Sequence, residues 1–219
     1  TMEGESKRDY PASILHQSPW YKDYAAVEDH FARMGVILSA GRPDCDVLVL
    51  NPIESLWCQA YIGWAQWISN VSPDVAPYEQ RYAQLFHMLV GNQIDFDYGE
   101  EQIMRDKWSL DTDESGKCVL RIGSATYRTV LVTNMLTIRP TTLEILKAFS
   151  EAGGQVIFAG ELPAYVDALA SDAPAQLAES CCRVGFDEKE ILCAIRAGSQ
   201  SFVDIKDANG NAERAVFVQ

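Results

Sequence analysis

The stretch GNQIDFDYGEEQI, residues 91–103, places Asp95, Asp97, Glu100 and Glu101 within seven positions, interleaved with Ile94, Phe96 and Tyr98. Carboxylates this close admit two readings. On a strand, alternate residues share a face, so Asp95 and Asp97 would stand about 7 Å apart, opposite Ile94 and Phe96. Such a pair could act as acid and base on a glycosidic bond. At a helix start, Asp97 would cap a helix beginning near Tyr98. Its three-residue step to Glu100 has capping-box spacing, and Glu100 and Glu101 would favour the positive end of the helix dipole. Caps are common and catalytic dyads rare, so Asp97 is assigned as a cap. Asp95 then lacks a local explanation beyond pairing with a neighbouring Arg or Lys.

Other chemistries have less to build on. The chain contains neither GxGxxG nor GxxxxGK[ST], so no glycine-rich phosphate cradle is expected and nucleotide binding is disfavoured. A nucleophile elbow needs Ser or Cys on a sharp turn after a strand; VLVT instead runs into Asn134-Met135-Leu136. Cys45 and Cys118 are expected before strands, at the opposite sheet edge. The three histidines, His16, His30 and His87, are scattered and none lies in the last 130 residues, which disfavours a Cys-His or Ser-His pair and a histidine metal site. His87 falls off its helix's apolar stripe and is read as a solvated surface residue. No catalytic residue, metal or cofactor is assigned.

The elements that must position these residues follow from periodicity. Trp20, Tyr24, Val27, Phe31, Met34 and Leu38 recur at helical steps between Ser18-Pro19 and Gly41-Arg42-Pro43. DVLVLNP (46–52), YRTVLVTN (127–134) and QVIFAG (155–160) are apolar runs without polar alternation, the mark of parallel strands buried on both faces. A further strand is expected at Gln93–Phe96, with a short helix around 99–107, and CVLRI is read as a strand after the acidic turn DTDESGK. Helices are expected at PYEQRYAQLFHMLVGN, PTTLEILKAFSEAGG, ELPAYVDALA and DEKEILCAIRA. Residues 53–78 read as a long loop with some helix, on which Trp57, Tyr61 and Trp64 would share one face: core, a sugar platform or an inter-domain contact. Asn209-Gly210 between alternating runs predicts a C-terminal hairpin. The implied fold is α/β: an open, mostly parallel sheet with helices on both faces, flavodoxin-like. The expected division is a lead-in and linker helix over 1–45, the α/β domain over 46–200, and the hairpin over 201–219.

The totals set limits. The chain's 219 residues carry 18 basic and 31 acidic side chains, a net charge of −13, which disfavours nucleic acid and anionic membranes as partners. No apolar run reaches the ~20 residues a membrane helix needs. TMEGESKRDY lacks an apolar core, so no signal peptide is expected, and a Thr ahead of the Met suggests an excised segment. Six cysteines without CxxC spacing suggest buried, reduced thiols in a non-oxidising, cytoplasmic compartment.

The order of several degenerate motifs resembles a known family. SPWYKDYAAVEDHFARMGVILSAGRPDCDVLVLNPIESLW, GNQIDFDYGEEQI and YRTVLVTNMLTIRPTTLEILKAFSEAGGQVIFAGELP together resemble the region following the catalytic barrel in large bacterial glycoside hydrolases, especially α-L-rhamnosidase-like ones. The match spans roughly residues 18–163, with Asn134 where a proline is usual. The resemblance implies a class I glutamine-amidotransferase-like domain, similar to the trimerisation domain of bacterial β-galactosidases, that has lost the amidotransferase nucleophile. It further implies a non-catalytic accessory domain packing on the catalytic barrel of its own parent chain, reaching carbohydrate through that enzyme. Asp95, Asp97, Glu54 and Trp57 are then candidates for the rim of the sugar site. Two alternatives stand: an oligomerisation module forming a homo-oligomer, or a self-sufficient small hydrolase using Asp95 with Asp97 or Glu100.

Overall fold

The computed structural model describes residues 16, 18–41, 45–59, 73–199, 203, 205–210 and 213. The chain divides into two units, Thr1–Pro43 and Asp44–Gln219. In the first, helix α1 spans Tyr24–Ser39. It starts four residues later than the periodicity predicts, because Tyr21 and Asp23 donate back to Ser18 and Trp20 in tight turns instead. No residue of α1 is buried, and its stripe residue Phe31 is 65% exposed.

In chain order the second unit runs β1 (Val47–Leu50), α2 (Ile53–Gln59), α3 (Ala76–Gly91), β2 (Phe96–Gly99), α4 (Glu101–Lys107), β3 (Trp108–Thr112), β4 (Cys118–Ile122), β5 (Ala125–Tyr127), β6 (Thr129–Thr133), β7 (Thr137–Ile138), α5 (Pro140–Glu151), β8 (Gln155–Ala159), β9 (Tyr165–Val166), β10 (Leu169–Ala170), α6 (Ala173–Ala178), β11 (Cys182–Val184) and α7 (Glu188–Gly198). The main sheet is five-stranded and parallel, in the order β2-β1-β6-β8-β11. Numbered one to five along the chain, these strands lie across the sheet in the order 2-1-3-4-5, the flavodoxin-like arrangement.

The central strands are mainly apolar because both faces are covered; the polar Thr129 and Thr133 at the ends of β6 are hydrogen-bonded to Gln155 and to the Ala159 carbonyl. On one face Leu48, Leu50, Val130, Val132, Val156 and Phe158 pack with Met104 of α4 and Ile145, Leu146 and Phe149 of α5. On the other, Val47, Val49, Leu131 and Ile157 meet Leu85 and Leu89 of α3 and Ile191, Leu192 and Ile195 of α7. Each such aliphatic side chain contributes about 1.5–3 kcal/mol when fully buried. Pro140 opens α5, and Gly153 at φ 89° ends it, where a side chain would be strained. Gly154 follows because a Cβ there would lie 2.0 Å from the Phe149 ring.

Several expectations are corrected. The edge strand is Phe96–Gly99, not Gln93–Phe96, because Gln93 takes a left-handed φ of 60° and delays the extended run. The cap of α4 is Glu100, whose carboxylate accepts from the Ile103 N–H at 2.8 Å, so Asp97 is a strand residue and not a cap. Asp95 lies before the strand, so the shared face with Asp97 is not a strand face. ELPAYVDALA forms no helix: Asp167 and Ala168, at φ 47° and 61°, make the two-residue turn between β9 and β10. YRTVLVTN is interrupted at Arg128, whose N–H bonds the Asp46 carbonyl, splitting β5 from β6. CVLRI joins a separate antiparallel sheet, β3-β4-β5, so Cys118 starts a strand outside the main sheet. Helix α6 and strand β11, in ASDAPAQLAESCCRV, are six and three residues long, too short to show a period. His87 is exposed, as expected, although Phe86 of the predicted stripe is exposed too. Residues 60–72, with Tyr61 and Trp64, and most of 201–219 lie outside the described residues.

Candidate functional site

In a sheet of this order, ligand sites form beyond the carboxyl ends of the strands, at the point where the strand order reverses. Here that point lies between β1 and β6, followed by Asn51 and Asn134 respectively. Asn134 is buried and holds a left-handed φ of 57°, a conformation Asn tolerates better than most residues. It thus occupies the sharp turn that a nucleophile elbow would use. Its Nδ2 donates to the Tyr78 carbonyl at 2.9 Å, and its buried Oδ1 has no hydrogen-bond partner among the described residues.

The turn after β6 is fastened to the segment after β1. Ser55, fully buried on α2, accepts the N–H groups of Leu136 and Thr137 at 2.9 and 3.2 Å and donates to the Thr137 carbonyl at 3.3 Å. Those contacts occupy the hydroxyl on three sides. Glu54 receives the Arg139 guanidinium, with Nε at 2.7 Å and Nη2 at 2.5 Å. The Arg139 N–H in turn donates to Glu101 Oε2 at 2.8 Å. Glu101 is only 2% exposed, and burial raises its carboxyl above the usual carboxylate range, opposed by the Thr142 hydroxyl and the Arg139 N–H. One arginine therefore sits between two carboxylates, holding one through its side chain and the other through its backbone. Nothing in this arrangement pairs a nucleophile with a base: Ser55 is spent on backbone groups and Glu54 on Arg139.

Of the four rim candidates, the structure brings two to this edge. Glu54 and Trp57 lie three residues apart on α2; Trp57 is 60% exposed. Asp95 precedes β2 at the amino-terminal end of the sheet. Asp97 stands opposite Leu48 within the strand pair and accepts the Tyr127 hydroxyl at 2.8 Å. The residues that build the edge, Ser55, Glu101, Asn134 and Arg139, were not singled out as a site by the sequence. The available signal was a polar Asn directly after the strand TVLVT, whose Val-Leu-Val centre marks it as buried. Among the described residues, no three His, Cys, Asp or Glu side chains converge as a metal site, and no helix is long and apolar enough to cross a membrane. All six cysteines are free thiols, but contrary to the expectation of burial only Cys45 is buried, and Cys58, Cys182 and Cys193 are exposed.

No family model matches the chain, and no curated protein does. Among solved structures, it is similar to Gan42B, a GH42 β-galactosidase from G. stearothermophilus, with 16% identity and a TM-score of 0.46 over 72% of this chain and 19% of that one. It is also similar to the cold-adapted β-galactosidase from Rahnella sp. R3, with 22% identity and a TM-score of 0.33 over 61% of this chain and 17% of that one. The chain spans about a fifth of the length of the solved proteins it matches.

Proposed function

We propose that this chain is a non-catalytic accessory domain of a larger carbohydrate-active enzyme, a glycoside hydrolase, and that it packs on or completes the catalytic barrel of its parent. One observation carries the non-catalytic part: the elbow after β6 holds Asn134, with its amide committed to the Tyr78 carbonyl. The fold keeps the strained turn that would present a nucleophile and fills it with a residue that cannot attack. The carbohydrate class rests on the ordered motifs between residues 18 and 163. In this reading the exposed Trp57, beside the Glu54–Arg139 pair at the carboxyl edge, is the group offered to the rim of the parent's sugar site, whereas Asp95 lies at the opposite end of the sheet and Asp97 is bonded to Tyr127.

The test is hydrolysis of a panel of aryl glycosides by the isolated 219-residue chain. No turnover above the blank is expected. Turnover that vanishes in Asp95→Asn while thermal stability is kept would replace this reading with a self-sufficient hydrolase.

A second reading, an oligomerisation module, is favoured by α1, which buries none of its residues and leaves Phe31, Val36, Ile37 and Leu38 at least 65% exposed. Sedimentation at high micromolar concentration separates the two: a monomer argues against assembly through this chain.

A further inference from the structure

We infer that Gln93 is a clasp: its side-chain amide completes a C-terminal hairpin rung and lets that hairpin open while the sheet stays folded. The inference is independent of the proposed function. The turn Asp207–Gly210 is encoded locally. Asp207 Oδ1 accepts the Asn209 N–H at 2.8 Å, the Gly210 N–H returns to the Asp207 carbonyl at 3.0 Å, and Gly210 takes φ 86°. Beyond the turn, the Glu213 N–H donates to the Ile205 carbonyl at 2.9 Å. In a hydrogen-bonded antiparallel pair the two residues exchange both N–H···O bonds.

Here the return bond runs through Gln93. The Ile205 N–H donates to Gln93 Oε1 at 2.7 Å, and Gln93 Nε2 donates to the Glu213 carbonyl at 3.3 Å and the Ile205 carbonyl at 2.7 Å. One carboxamide thus stands in for the missing bond, accepting from the Ile205 N–H and donating to the carbonyls of both Ile205 and Glu213. A carboxylate lacks the donors and an aliphatic side chain lacks everything, so Gln suits the position for its chemistry.

The clasp is anchored in the sheet domain. Gln93 is 6% exposed, its own N–H bonds the Val90 carbonyl at the end of α3, and its neighbour Ile94 bonds Leu89. The hairpin's turn can therefore form from local sequence, while its rung forms only on the folded α3–β2 connection, 112 positions away. A contact of this kind opens as a local unit, at a lower free energy than the surrounding core.

Amide hydrogen exchange tests it, in the wild-type chain, in Gln93→Gly and in Gln93→Glu. Glycine adopts φ 60° without strain, so Gln93→Gly removes the amide without distorting the turn. Gln93→Glu keeps the reach and replaces the donor with an oxygen facing two carbonyls. In both variants the Ile205 and Glu213 amides are expected to exchange about tenfold faster or more, with protection in β1 and β6 unchanged. Unchanged exchange at Ile205 and Glu213 in both variants overturns the clasp. An equal loss of protection across β1 and β6 overturns the separable hairpin.

Discussion

The Tyr127 hydroxyl donates to the Asp97 carboxylate at 2.8 Å, joining the last strand of the small antiparallel sheet to the edge strand of the main one. Asp97 is exposed at its surface and Tyr127 is only 5% exposed, so the bond spans the boundary between water and core. Removing the hydroxyl in Tyr127→Phe is expected to cost about 1 kcal/mol. Asp97→Ala strands that hydroxyl in the core and is expected to cost more, about 1–3 kcal/mol. Urea denaturation of the two variants checks the order; an Asp97→Ala loss no larger than that of Tyr127→Phe would contradict the bond.

Asn134 invites a substitution pair that separates strain from bonding. Gly accepts the left-handed φ and loses the bond to Tyr78; Ala loses the bond and adds strain of about 1–2 kcal/mol. Asn134→Gly should therefore be the more stable of the two by roughly that margin. Equal midpoints in chemical denaturation would show that φ 57° is not a feature of the folded chain.

Ser55→Ala leaves the Leu136 and Thr137 N–H groups without their shared acceptor in a fully buried site. The expected loss is about 2–4 kcal/mol, since each orphaned buried donor costs roughly 1–3 kcal/mol and one can partly relax. Ser55→Thr keeps the oxygen but adds a methyl in a filled space. A thermal midpoint for Ser55→Ala within a degree of wild type would remove this hydroxyl from the structural account.

Glu101 sets a pH dependence whose sign follows from burial. Its carboxyl is raised in the folded chain from an ordinary value of 4.5, so the folded state binds the proton more tightly than the unfolded one. Stability contributed by this group is present below pH 4.5 and is lost as pH rises through the raised folded value. Glu101→Gln keeps an acceptor for the Arg139 N–H and removes the titration. The wild-type stability minus that of Glu101→Gln should decline upward from about pH 4.5; a flat difference between pH 4 and 8 counts against it.

The six thiols should label unequally. Burial pushes the Cys45 thiol up to about 12, with Asp97 and Asp95 adding to the rise, whereas Cys58, Cys182 and Cys193 are exposed. Iodoacetamide at pH 8, read by peptide mass spectrometry, should modify the three exposed cysteines and spare Cys45 until denaturant is added. Labelling of Cys45 in the native chain at the rate of Cys193 would contradict its burial.

The sequence by itself determined the parallel sheet, because strands buried on both faces admit little besides the apolar residues seen in VLVL, TVLVT and QVIFA. It also determined α5, where Pro140 and Gly153 mark the ends, and α7, where Ile191, Leu192 and Ile195 mark the inner face; that Asp187 caps α7 rather than opening it was decided by the structure. Short elements were beyond it: β9, β10, α6 and β11 have six residues or fewer, too few for a period, and contacts with neighbouring elements decide their shape. The candidate site was the least legible part. Ser55 meets Thr137 across 82 positions and Arg139 meets Glu54 across 85, and a hydrogen bond between such residues leaves no local pattern. The acidic run at 95–101 was conspicuous because its residues are close in sequence. The folded chain disperses them to a strand entry, a strand face, a helix cap and a buried first turn, since extended backbone and helix send adjacent side chains in different directions.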